Sequence, residues 1–136
     1  MAAQYLALFV IAAAVTQVHH TLPDQSHTFI TNPLIGKSLG IAKSFLDTLE
    51  ACYVVFPNGA NIEAFPNNRL PNGPITFLNA AQPFTSCAIG FLAADVSLSG
   101  TYELISVVHH PAENYRSSTR QRFHLTLTSD GQKKMF

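Results

Sequence analysis

Alternation of apolar and polar residues with a period of two, the mark of extended chain, sets out the strongest segments of this sequence. From Arg122 to Thr128, Phe123, Leu125 and Leu127 alternate with Arg122, His124 and Thr126, which describes a strand with one dry face and one wet face. From Thr101 to Val108, Tyr102 and Leu104 alternate with Glu103, and Ile105, Val107 and Val108 carry the run on. From Phe84 to Leu92, Cys87, Ile89 and Phe91 share a face. From Ala51 to Phe56 both faces are apolar, with Cys52, Val54 and Phe56 on one and Ala51, Tyr53 and Val55 on the other, as in a central strand.

Weaker segments fill the intervals. Asn61 to Phe65 reads as a strand, Pro74 to Leu78 as a short peripheral one, and Thr28 to Thr31 as an edge segment stopped by Asn32-Pro33. Phe45, Leu46 and Leu49 sit at helical spacing, so a short helix over Lys43 to Leu49 is the alternative to extended chain there. Pro57-Asn58-Gly59 is a turn, because proline presets φ and glycine accepts positive φ. Pro66 to Gly73 and Ala112 to Gln121 are polar enough to be loops, and Val15 to Thr31 reads as a polar leader into the domain. About seven strands over roughly 100 residues predict an all-β antiparallel sandwich.

Composition narrows this picture. Apolar residues make up 47% of the 136 positions and charged residues only 12%, which suits one packed domain and argues against disorder. Eight basic residues balance eight acidic ones, so no global charge points to nucleic acid or an anionic membrane. The first residues change the picture more. Tyr5 to Val15 is an uncharged apolar block, too short for a comfortable membrane span, and small residues around Ala12 and Ala14 follow it. This predicts a secretory signal over residues 1–18, with cleavage between Ala14 and His20, although no Lys or Arg precedes the block. The expected organisation is then a leader over 19–27, the domain over 28–130 and a tail over 131–136, in an extracellular protein without a transmembrane anchor.

Export changes how the two cysteines read. An even count in an oxidising compartment favours a bridge between Cys52 and Cys87 over two buried thiols. No Cys-x-x-Cys or His-x-x-x-His spacing supports a structural zinc site.

Leu98-Ser99-Gly100-Thr101-Tyr102-Glu103-Leu104 resembles the Asp-x-Gly-x-Tyr-x-Cys corner of immunoglobulin domains. Ser99 to Tyr102 matches, whereas Leu98 stands at the acidic position and Leu104 at the cysteine. The resemblance implies an atypical immunoglobulin-like sandwich in which Gly100 permits the corner and the Tyr102 hydroxyl ties it down. It places Cys52 on strand B and residues 123–128 on strand G, and leaves Ile62 or Phe65 to fill the space of the missing strand C tryptophan. With Cys87 on strand E, the bridge would then lie within one sheet.

Chemistry is thin. His109 and His110 are adjacent, so on a strand they face opposite sides and cannot grip one ion. Cleavage after Thr16 or Gln17 would make His19 or His20 the third residue, the arrangement of an amino-terminal copper(II) site, but the expectation is no metal and no cofactor. No Gly-x-Ser-x-Gly elbow or phosphate loop occurs, no nucleophile set emerges, and no catalytic residue is expected. Arg116, Arg120, Arg122, Lys133 and Lys134 face only Asp130 in the C-terminal part, either as a patch for acidic glycans or proteins or as a solvated hairpin. No Asn-x-Ser/Thr site is present. The reading that results is a secreted, non-catalytic recognition module for an extracellular protein or glycan, with loops Pro66–Gly73 and His109–Gln121 as contact regions. The alternative is a small β-barrel carrying an apolar ligand.

Overall fold

A computed structural model describes residues 16–30, 38–78, 85–91 and 96–128. Nine strands are described: β1 (Thr16–Thr21), β2 (Gln25–Ile30), β3 (Ser38–Ala42), β4 (Thr48–Val55), β5 (Asn61–Phe65), β6 (Ile75–Phe77), β7 (Thr85–Phe91), β8 (Gly100–His110) and β9 (Tyr115–Thr128). A single 3-10 turn, Val96–Leu98, precedes β8. One sheet runs β1-β9-β8-β4-β5, with β2 also on β9, and the other runs β3-β7-β6. Neighbours are antiparallel except at β9, where β1 pairs in parallel with Tyr115–Arg120 and β2 with Phe123–Thr128.

The all-β sandwich expected from alternation is the architecture observed, and the cause is the side-chain period. Tyr102, Leu104 and Val108 of β8 and Phe123, Leu125 and Leu127 of β9 point inward and are buried. They meet Leu39 and Ile41 of β3, Ile89 and Phe91 of β7, and Val54 of β4. Gly40 lets β3 lie close on β7, since a Cβ there would stand 2.8 Å from the Cβ of Ala88. Cys52 and Cys87, both fully buried, are joined by a disulfide with Cα atoms 5.4 Å apart.

Two expectations are corrected and one alternative is decided. The bridge does not lie within one sheet: Cys52 is on β4 and Cys87 on β7, so it pins the two sheets together. The segment Ala112–Gln121 is not a loop, because the β8–β9 turn is confined to residues 111–114 and β9 starts at Tyr115. The first half of β9 is polar on both faces, with buried Ser117 and Gln121 inward, so hydropathy gives no alternation there. Residues 43–49 form no helix; a turn at Phe45-Leu46 leads into β4 at Thr48. The same polar character hides β1, whose Thr16–Thr21 lies within the stretch expected to be leader.

Candidate functional site

Three places in the sandwich bring chemically significant side chains together. The first is the corner before β8. The Tyr102 hydroxyl donates to the Leu98 carbonyl at 2.8 Å, four residues back in the chain. Its ring is buried and tilted against Phe56 at 5.9 Å, and burial pushes its phenol above the usual tyrosine pKa. Gly100 has φ of 151°, a region that disfavours side chains, and a Cβ there would lie 2.8 Å from Pro57 Cγ. Ser99 Oγ accepts from the Leu127 N–H at 2.8 Å, which ties the corner to β9. The loop over 66–74 frames an apolar cavity of about 190 Å³ beside it, lined by Phe56, Ile75, Leu98 and Tyr102.

The second place is the outer face of the larger sheet. Cross-strand register puts Tyr53 opposite Ile105, Ala51 opposite Val107, and Val55 opposite Glu103. These residues point away from the core and stay partly exposed, so an apolar block of Tyr53, Val55, Ile105 and Val107 sits in the middle of that face. Charges border it. Glu103 lies 3.1 Å from Arg122 and 3.5 Å from Arg120, and Arg116 meets Glu50 at 2.6 Å. The three arginines therefore do not face Asp130 alone: β4 and β8 bring carboxylates across to them. Lys133, Lys134 and Asp130 lie outside the described residues.

The third place is one end of the sandwich, where the sheets part around a cavity of about 260 Å³. His110, at the end of β8, is held on both nitrogens: Nδ1 lies 3.0 Å from Asp47 Oδ2, and Nε2 lies 2.7 Å from Ser117 Oγ. Its ring stacks on Tyr115 at 4.2 Å with 12° between the planes. The expectation that no nucleophile set exists came from sequence spacing. The fold brings Asp47, which precedes β4, to His110 and Ser117, which lie seven positions apart on either side of the β8–β9 turn, and that distant partner falls outside any local motif. His109 and His110 do take different partners along β8, with His109 opposite Arg116 and His110 opposite Tyr115. Among the described residues, no group of three or more His, Cys, Asp or Glu is placed to hold a metal ion.

Of the loops expected to make contacts, Pro66–Gly73 is a loop that is mostly exposed, braced where Glu63 Oε2 accepts from the Asn67 N–H at 2.9 Å. His109–Gln121 reduces to the four-residue turn 111–114 between strands. The space between the sheets is filled by side chains such as Tyr102, Phe123, Leu39 and Ile89, each at most 2% exposed, where a carrier would hold its ligand. Among the described residues, no helix is long and apolar enough to cross a membrane.

No protein-family model matches the chain, and no curated protein matches it. Among solved structures, the chain is similar to the solution structure of the Ig-like domain of human leucine-rich repeat-containing protein 4, at 16% identity and a TM-score of 0.38, over 78% of this chain and 82% of that one. The assignment of fold rests on topology. The order β9-β8-β4-β5 against β3-β7-β6 is a G-F-C-C′ and B-E-D arrangement of immunoglobulin-like strands, with β1 and β2 added at the β9 edge. In that frame Cys52 is on strand C, Cys87 on strand E, and Leu104 on strand F, and the corner at Tyr102 sits where strand F begins. Ile62 and Phe65 fall on the C′ strand, so it is Cys52 that stands on the strand that carries the usual tryptophan. The chain has an immunoglobulin-like fold, with its disulfide on strands C and E in place of strands B and F.

Proposed function

We propose that this chain is an exported recognition module that binds a protein through the outer face of β4, β8 and β9. The observation that carries the reading is the apolar block of Tyr53, Val55, Ile105 and Val107 on a sheet face, bordered by the ion pairs of Glu103 and Glu50. An apolar centre inside a charged rim is the layout of protein–protein contact surfaces, where the centre is desolvated and the rim sets orientation. A glycan would be met instead by exposed polar and stacked aromatic side chains. Export is supported by the apolar block at Tyr5–Val15 and by a buried disulfide in a small domain, which persists in oxidising compartments. The Pro66–Gly73 loop lies off this face and serves as the comparison site.

The test is capture from extracellular fluid with the folded, oxidised domain as bait. Tyr53→Ala with Ile105→Ala should abolish capture of any specific protein, while Asn68→Ala with Asn72→Ala in the loop should not. A captured protein that survives the sheet substitutions and is lost with the loop substitutions would overturn the assignment of the face. Saturable uptake of an apolar fluorophore by the folded domain would favour a carrier instead.

A further inference from the structure

The end cavity carries an inference independent of partner binding. The Asp47 carboxylate can only accept a hydrogen bond, so the proton between it and His110 resides on Nδ1. In the neutral imidazole that leaves Nε2 as an acceptor, and Ser117 Oγ–H then donates to it across 2.7 Å. This is the ground state of an activated serine: the nucleophile on the base, and the base oriented by a carboxylate. The constellation is recognised by geometry and roles and does not depend on chain order or fold. It is also sheltered. Ser117 is 6% exposed, and the His110 and Asp47 side chains are 19% and 18% exposed, yet all three line a cavity open to solvent. By contrast, His124 with Asp24 and Thr101 forms a similar relay on the exposed surface, where Asp24 alone of the three borders a cavity, one of about 150 Å³.

Lys43 borders the cavity, with its Nζ donating to the Ser44 carbonyl at 3.3 Å, and a cation on the lining favours negative charge developing on a carbonyl oxygen. Between the lining residues Ser44 and Asp47, the turn exposes Phe45 and Leu46 at 61% and 67%. A volume of about 260 Å³ takes a short acyl group and little more.

We propose that Asp47, His110 and Ser117 hydrolyse short-chain carboxylic esters in this cavity. Ser117 Oγ bonds to the ester carbonyl carbon as its proton passes to His110 Nε2. The bond from that carbon to the alcohol oxygen breaks, and the leaving oxygen takes the proton from Nε2. Water then attacks the acyl-serine, giving its proton to Nε2, and the carboxylic acid leaves as Ser117 Oγ recovers that proton. One ester and one water are consumed; one acid and one alcohol are formed. Asp47 is a positioning residue that fixes the ring and its tautomer.

The experiment uses the full secreted chain with its disulfide intact. A fluorophosphonate probe should add once per chain, on the chymotryptic peptide 116–123, with fragmentation placing the adduct on Ser117. Hydrolysis of p-nitrophenyl acetate should show kcat/KM lowered at least about a hundredfold by Ser117→Ala and by His110→Gln, and unchanged by Ser26→Ala. Asp47→Asn should lower kcat with little change in KM, because it disturbs the proton acceptor and not the cavity. Absence of the Ser117 adduct in the unaltered chain would overturn the proposal whether or not the variants fold. So would hydrolysis that persists in a Ser117→Ala chain with an unchanged thermal midpoint.

Discussion

Replacing both cysteines by alanine is the most informative single perturbation of this fold. The bridge closes a loop of 35 residues, and a loop of that length restrains the unfolded chain by roughly 4 kcal/mol in the chain-entropy treatment. Both sulfurs are fully buried, and deleting a buried atom of that size costs about 1 kcal/mol more at each position. Cys52→Ala with Cys87→Ala should therefore lose about 6 kcal/mol, and the reduced natural chain about 4. Domains of this size have about 5–15 kcal/mol in all, so either change removes a large share. The thermal midpoint should drop by about 15 °C on reduction alone. Urea titration followed by far-ultraviolet circular dichroism measures both, and the chain's lack of tryptophan makes that signal the natural choice. The contrast between the two samples separates restraint of the unfolded chain from loss of packing. A reduced chain within about 1 kcal/mol of the oxidised one would refute the reasoning, because the inter-sheet link would then restrain nothing that matters.

Further consequences follow from the corner and the first strand. Tyr102→Phe should cost about 1–2 kcal/mol, since it removes the hydroxyl's bond to the Leu98 carbonyl and leaves that acceptor unpaired. Burial raises the Tyr102 phenol above the usual tyrosine value of 10.0, so above that pH the unfolded chain loses this proton first and the native state holds it longer. Its contribution to stability is thus complete below pH 10.0 and is lost as pH rises toward the folded value; denaturant titrations at stepped alkaline pH should show a decline that Tyr102→Phe lessens. Gly100→Ala should cost about 1–3 kcal/mol in the same assay, and adding Pro57→Ala should recover only part of it, because the contact is relieved and the positive φ is not. If the chain is exported as proposed, mass spectrometry of the secreted form should find Val15 first, since cleavage after Ala14 keeps every residue of β1. A chain beginning at His20 would have lost most of β1 and would contradict that choice.

What the sequence made legible was whatever one dry face could mark. Phe123, Leu125 and Leu127 alternate with polar neighbours because one side of β9 packs on the core there, and the corner at Gly100 and Tyr102 is short, local and dense with constrained residues. In its first half the same strand turns Ser117, Thr119 and Gln121 inward toward the end cavity and the β1 edge, and the alternation disappears while the strand does not. The hydrogen bond that replaces the apolar signal at Gln121 runs from its side-chain amide to the Pro23 carbonyl, 98 positions away, which no local window contains. β1 is hidden for the same reason. Its Thr, Gln and His side chains read as linker, and what makes it a strand is a parallel ladder to the far end of the chain. The Asp47–His110–Ser117 cluster falls in this same blind region, because it is made of polar residues that the hydropathy pattern assigns to turns.

The displaced disulfide shows how a local match can point to the right fold and the wrong register. Taking the corner as the start of strand F correctly places Leu104 where that family has a cysteine. The apolar run at Ala51–Phe56, with its cysteine, points to strand B by the same match. It is strand C, and Leu39 and Ile41 of β3 are the strand B residues that face the core. Moving the bridge one strand along in each sheet still joins β4 to β7 through the middle of the sandwich, so its mechanical effect is kept: the two sheets cannot separate without breaking a covalent bond. What changes is the neighbourhood. Leu104 and the aliphatic pair on β3 fill the space between strands B and F, while two sulfurs occupy the interior beside Val54, where strand C more often supplies an indole. A Leu104→Cys, Ile41→Cys pair on the Cys52→Ala, Cys87→Ala background would ask whether the common placement stabilises this core as well. It should do so only if the β3 and β8 Cα atoms can approach to about 6 Å without expelling the packed ring of Phe123.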